Sequence, residues 1–129
     1  MKLEFAWHAS PAGAEATCTS DEVGPDGVSP LACLLVDDGG VSRSTTLAWL
    51  REGIARVDAV LSGESEGRMD WSREAWGATV TAAQTRVYSL YDEECAETIS
   101  TSTFRRALFE WLKFFESEGD PATVVVDLV

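Results

Sequence analysis

Between Ser102 and Phe115 the large apolar residues Phe104, Leu108, Trp111 and Phe115 recur at spacings of three and four, which places them in one stripe along a helix. Ala107, Leu112 and Phe114 widen that stripe, and Ser100 or Ser102 is available as its cap. A helix with so broad an aromatic face has to bury it, so the rest of the chain must supply an apolar surface. Glu118-Gly119-Asp120-Pro121 ends the helix, and Ala122 to Val129 reads as a Val-rich last strand.

The surface it needs is legible in several strand patterns. Leu3, Phe5 and Trp7 alternate with Lys2, Glu4 and Ala6, the period of a half-buried strand running from Lys2 to His8. Residues 10 to 29, rich in Ala, Gly, Pro, Ser and Thr, read as loop. The short apolar run Leu31 to Val36, closed by Asp37-Asp38-Gly39-Gly40, predicts a second and more buried strand. Met69-Asp70-Trp71, the alternation of Trp76, Ala78, Val80 and Ala82, and the segment Arg86 to Tyr91 predict an antiparallel meander. Ala83-Gln84-Thr85 is too short to connect anything but a hairpin.

A second amphipathic helix is predicted between Ser44 and Leu61, where Leu47, Leu50, Ile54, Val57 and Leu61 share one face. Ser44 serves as its N-cap and Gly63 as its C′ residue. Gly53 inside it costs up to about 1 kcal/mol relative to Ala, which a close contact or a bend would explain. The order strand, strand, helix, meander, helix, strand predicts one α+β domain over residues 1–129. It comprises an antiparallel or mixed sheet with two amphipathic helices on one face.

No run of eighteen apolar residues occurs, and Met1 to Ser10 lacks a secretory signal's apolar core and cleavage site. A cytoplasmic protein without membrane association is the expectation. Twenty-two acidic against ten basic side chains give a formal charge of -12. Such a field repels nucleic acid and anionic membrane and steers basic proteins inward, although it also serves plain solubility. The basic residues are scattered except for Arg105-Arg106, placed in the first turn of the second helix and paired with acids such as Glu110.

Catalytic patterns are sparse. His8 is the single histidine, so Ser-His or Cys-His chemistry would run through it, and no nucleophile motif surrounds Cys18, Cys33 or Cys95. The three cysteines are widely spaced without a C-x-x-C pair, which predicts reduced thiols and no zinc site. Asp37-Asp38-Gly39-Gly40 lacks calcium-loop spacing and no phosphate-cradling glycine motif is present, so neither a metal nor a cofactor is expected.

The grouping that points to binding is Tyr88, Tyr91, Asp92, Glu93, Glu94 and Glu97, where a tyrosine-bearing strand edge runs into four acids, with Asp70 and Glu74 on the neighbouring strand. Tyrosine offers rigid amphipathic contact area and carboxylates meet Lys and Arg, the elements of a surface for a basic partner. The same acids also suit a solvated loop leading into the following helix.

Helix one, Glu64, Gly67, Trp71, Trp76-Gly77-Ala78-Thr79-Val80, Ser89-Leu90-Tyr91-Asp92-Glu93 and the run Ile99 to Phe115 together resemble small bacterial immunity proteins. Those are the antidotes encoded beside contact-dependent-inhibition and other polymorphic toxins. The likeness covers about two-thirds of the chain and rests on a strand hairpin, an acidic loop and a capped helix with a tryptophan. It implies a non-enzymatic protein that binds and neutralises a cognate toxin domain, often a basic nuclease. The other expectation is an acidic regulatory or DNA-mimic binding module. Either acts as a monomer or, through the edge of the terminal strand Thr123 to Val129, as a weak homodimer.

Overall fold

The computed structural model describes residues 1–11, 13–64, 67–119 and 122–128. Its elements are β1 (Lys2–Ser10), β2 (Gly13–Ser20), α1 (Pro30–Val36), α2 (Arg43–Leu61), β3 (Met69–Ser72), β4 (Trp76–Val80), β5 (Gln84–Ser89), β6 (Ala96–Ser100), α3 (Thr101–Glu116) and β7 (Thr123–Asp127). The class is α+β, as expected, and every strand pair is antiparallel. The strands divide between two sheets, ordered β2-β1-β7 and β3-β4-β5-β6, and there is a third helix.

Two segments differ from the sequence expectation. Residues 13 to 20, expected as loop, form β2 and pair with β1 from Leu3↔Ser20 to Ser10↔Gly13. Gly-Ala-Glu-Ala-Thr-Cys-Thr-Ser holds no large apolar side chain, so its periodicity is faint, and the ladder to β1 supplies what its own side chains do not. Leu31 to Val36, expected as a strand, lies in helix α1. A continuously apolar run carries no period, and the deciding signals were Ser29, whose Oγ accepts the Ala32 N–H at 3.1 Å, and Pro30 at the first helical position.

The other helix ends follow capping chemistry. Ser42, two residues before Ser44, caps α2 by accepting the Thr45 N–H at 3.3 Å, and Gly63 follows that helix at φ +82, a conformation glycine adopts without strain. Ser100 caps α3 through the Thr103 N–H at 3.2 Å. Arg105 and Arg106 therefore sit in its second turn. Arg105 pairs with Asp58 of α2 at 2.7 Å, and Arg106 donates to the Asp127 carbonyl at 2.7 Å. Asp120 and Pro121 of the expected helix stop lie outside the described residues, as does Val129.

One buried cluster draws on both sheets and all three helices. α3 is its axis. On one side Trp111 meets Phe5 edge-on at 5.0 Å and Phe114 stacks on Trp7 at 5.5 Å. The same helix also packs on β5 and β6, while α1 lies against β2 and the inner face of the four-stranded sheet. In that sheet the register sends Met69, Trp71, Ala78, Val80, Thr85 and Val87 inward and leaves Asp70, Ser72, Thr79, Arg86 and Tyr88 on the outer face. Each large apolar side chain so buried contributes roughly 1.5 to 3 kcal/mol against the entropy of ordering it.

Gly53 has the close contact its place in α2 suggested. A Cβ built on it falls 2.7 Å from Cζ2 of Trp71, itself buried. Gly53→Ala therefore gains about 1 kcal/mol of helix propensity but forces the indole aside. We expect net destabilisation of about 1 to 2 kcal/mol by denaturant unfolding, and unchanged or greater stability would show that the helix does not meet β3 this closely.

Candidate functional site

Antiparallel pairing brings the β3–β4 turn and the β5–β6 loop to the same end of the four-stranded sheet. The Leu90 N–H donates to the Ala75 carbonyl at 2.9 Å, joining the two connections directly. The loop after α1 joins them as well, because the Asp37 carboxylate accepts the N–H groups of Ala75 at 2.7 Å and Trp76 at 3.0 Å. Gly39, at φ +58, comes so close that a Cβ there would lie 3.0 Å from Cβ of Glu74.

Beneath this end lies Arg73, only 4% exposed. Its Nη1 donates to the carbonyls of Leu34 at 3.1 Å and Leu35 at 2.9 Å, the open C-terminus of α1, and its guanidinium sits 5.1 Å from the Trp49 ring and 5.9 Å from that of Trp71. Burial lowers its pKa to about 10, partly offset by Asp37 and Asp38. At that value the guanidinium is still charged near neutral pH, and it pins the helix end to the turn that carries Glu74.

Of the residues singled out in the sequence, Tyr91, Asp92, Glu93 and Glu94 lie together in the exposed β5–β6 loop, and Glu74 sits in the adjoining turn rather than within a strand. Tyr91 is 82% exposed with no packing role. The loop beneath it is ordered by its own bonds. The Glu94 N–H reaches Asp92 Oδ1 at 3.2 Å, the Cys95 N–H reaches the Asp92 carbonyl at 2.9 Å, the Tyr91 N–H reaches Ser89 Oγ at 3.2 Å, and Arg86 Nη2 donates to the Glu93 carbonyl.

Tyr88 lies on the outer sheet face, half-buried, with the Arg86 guanidinium 5.1 Å over its ring. Gly77 makes room for it, since a Cβ there would meet Tyr88 Cζ at 3.3 Å and Leu90 Cδ2 at 3.0 Å. Asp70 shares that face but stands on the edge strand β3, where it accepts from Thr79 at 3.0 Å and pairs with Arg68 at 3.5 Å. Sequence reasoning missed Arg86 and Leu90 as members of this surface. The signal for Arg86 was its spacing of two from Tyr88 on one strand.

Glu97 points the other way. It shares the inward register with Val87, and its Oε1 accepts the Leu31 N–H at 2.8 Å, satisfying a free donor in the first turn of α1. Its role is internal. No match to this chain is found among known protein families, curated proteins or solved structures.

His8 is exposed on the outer face of the three-stranded sheet with Nε2 3.0 Å from Thr17 Oγ1, while the register turns Cys18 to the opposite face. Burial raises the Cys18 thiol to about 12 and also raises Cys33 and Cys95, so these thiols are poor sources of thiolate. Among the described residues no group of three or more His, Cys, Asp or Glu side chains is placed to hold a metal ion.

Glu97 gives a pH test. Burial raises its pKa above the ordinary 4.5, with the Leu31 N–H pulling in the opposite direction. Ionisation is therefore disfavoured in the fold, so the contribution of Glu97 to stability falls as pH rises from near 4.5 through the raised value and then levels off. Glu97→Gln removes that loss. Its stability relative to wild type should rise across the same window in denaturant melts at stepped pH, and a difference independent of pH would contradict the buried placement.

Proposed function

We propose that this protein is an immunity-type inhibitor that binds a basic toxin domain in the cytoplasm through the acidic end of its four-stranded sheet. The observation that carries the reading is the coincidence, at that end, of a bond-ordered loop with an almost fully exposed Tyr91 at its tip and Asp92, Glu93 and Glu94 beside it. An exposed aromatic on a loop already held in place loses little entropy on binding, and surrounding carboxylates favour a cationic surface. A nuclease domain presents such a surface because it must hold a polyanion.

Supporting the same reading, Glu74 and the Asp37–Asp38 segment extend the acidic rim beyond the loop, and Arg73, the cation beneath, is turned inward to α1. Arg86 is drawn onto Tyr88 and the Glu93 carbonyl, and Asp92, Glu93 and Glu94 stand exposed beside it. Among the described residues no helix is long and apolar enough to cross a membrane. In this account the inhibitor works as a monomer or weak homodimer, needs no cofactor, and touches no nucleic acid itself.

On this proposal a neighbouring reading frame is expected to encode a compact basic domain, and the test uses that domain purified with the full chain. Tyr91→Ala is expected to weaken binding by about 2 kcal/mol or more, and Asp92→Lys, Glu93→Lys and Glu94→Lys together to abolish both binding and protection of cells. Tyr91→Ala should melt like wild type because its side chain is exposed, and the triple variant should lose no more than about 1 kcal/mol, for the Asp92 Oδ1 bond to the Glu94 N–H. Full binding by the triple variant would remove this surface from consideration.

A further inference from the structure

A second surface lies on the other sheet. In β1 the Trp7 N–H donates to Ala122 and the Leu128 N–H to Met1, so odd-numbered β1 residues turn their backbone groups to β7. Even-numbered ones then turn to β2, as the Asp21 N–H bonding to Lys2 shows. By the register, Ala14, Ala16, Cys18 and Ser20 of β2 direct their N–H and C=O groups away from β1, and among the described residues none of these groups has a hydrogen-bond partner. β2 is the edge of its sheet, and these groups form an open row.

Beside that row lies a cleft of about 680 Å³. Five consecutive β2 residues, Ala14 to Cys18, line it. Successive strand residues face opposite sides of a sheet, so a space touched by all of them lies along the strand's backbone edge. Its other walls are the aromatic and aliphatic side chains of Trp7, Leu35, Trp111 and Phe115. Thr46 Oγ1 and the indole N–H groups of Trp7 and Trp111, all from residues lining the cleft, are buried without hydrogen-bond partners.

The opposite edge is treated differently. On β7 the outward carbonyl of Asp127 is taken by Arg106, a charged block on strand addition. Among the described residues β2 has no charged block of this kind, and α1 packs beside its Cys18–Ser20 end. At the mouth of its cleft Glu15 and Asp38 are exposed, whereas Arg43 is engaged with Glu118 at 3.5 Å and with the Glu116 carbonyl.

We propose that β2 accepts an extended peptide segment of a partner protein as a further strand, with a bulky apolar side chain entering the aromatic cleft and a neighbouring Lys or Arg meeting Glu15 and Asp38. A row of alternating unpaired amides and carbonyls is complemented by another main chain, which selects a polypeptide over other ligands. The inference does not depend on the toxin-binding reading, because it concerns the other sheet and a main-chain interaction.

Random linear peptides displayed on phage are selected against the full chain, and the dominant sequence is synthesised unmodified and with N-methyl groups at every second residue in each register. The expected result is slowed amide exchange at Ala16 and Cys18 with the unmodified peptide. Binding should weaken about tenfold or more for one N-methyl register and little for the other. Ala16→Pro, which removes an outward N–H without touching the β1 ladder, should weaken binding similarly with an unchanged circular dichroism spectrum. If that variant misfolds, the N-methyl pair decides alone. No enrichment above background, equal binding by both N-methyl registers, or protection of β2 amides that appears without peptide and grows with protein concentration would each overturn the proposal, the last by showing that a second copy occupies the edge.

Discussion

The burial of α3 on two sides organises this molecule. Trp111 and Phe114 engage Phe5 and Trp7 of one sheet, while Phe104, Leu108 and their neighbours complete a core shared with the other. Two sheets that never pair with each other are thereby held on one helix. Without that aromatic stripe the three-stranded sheet would lose the rings that cover Phe5 and Trp7, and a small sheet left so uncovered is marginal in water. The Arg105–Asp58 pair adds orientation between α3 and α2 but, being substantially exposed, little energy.

The candidate binding surface inherits its rigidity from this arrangement through a chain of specific bonds. Trp71 lies against Gly53 of α2, Arg73 two residues on closes the end of α1, and Asp37 takes the amides of the turn that Leu90 then grips from the other side. A buried arginine costs solvation, and two carbonyl bonds with two indole faces offset part of that cost while Nε and Nη2 stay buried without partners. The loop carrying Tyr91 is thus mounted on groups that are themselves packed.

Much of this was legible in the sequence where side chains are large and periodic. The stripe of α3, the Leu and Ile face of α2, the alternation of β1 and the meander of β3 to β5 all follow from spacing, and of the contact or bend that Gly53 suggested the structure shows the contact. What escaped was decided by partners remote in the chain. β2 is a strand because β1 offers it a ladder, and α1 is a helix because Ser29 and Pro30 start it and Glu97 and Arg73 satisfy its ends. Glu97 looked like one more acid in an exposed run, and only the register of β6 turns it inward. Tyr91 and the three acids beside it could be proposed as a surface from sequence. Their attachment to the Glu74 turn could not, since that depends on how the hairpins line up.

The central claim is that outward negative charge at this end of the sheet captures a basic protein. Charge-steered association is faster than neutral docking by orders of magnitude and is screened within about 10 Å at 0.1 M salt. The measurement is the association rate constant of the chain with the basic domain proposed as its partner, by stopped flow across a range of ionic strength. The account expects a rate that falls at least about tenfold from low to high salt while the dissociation rate changes little. An association rate indifferent to salt would contradict it.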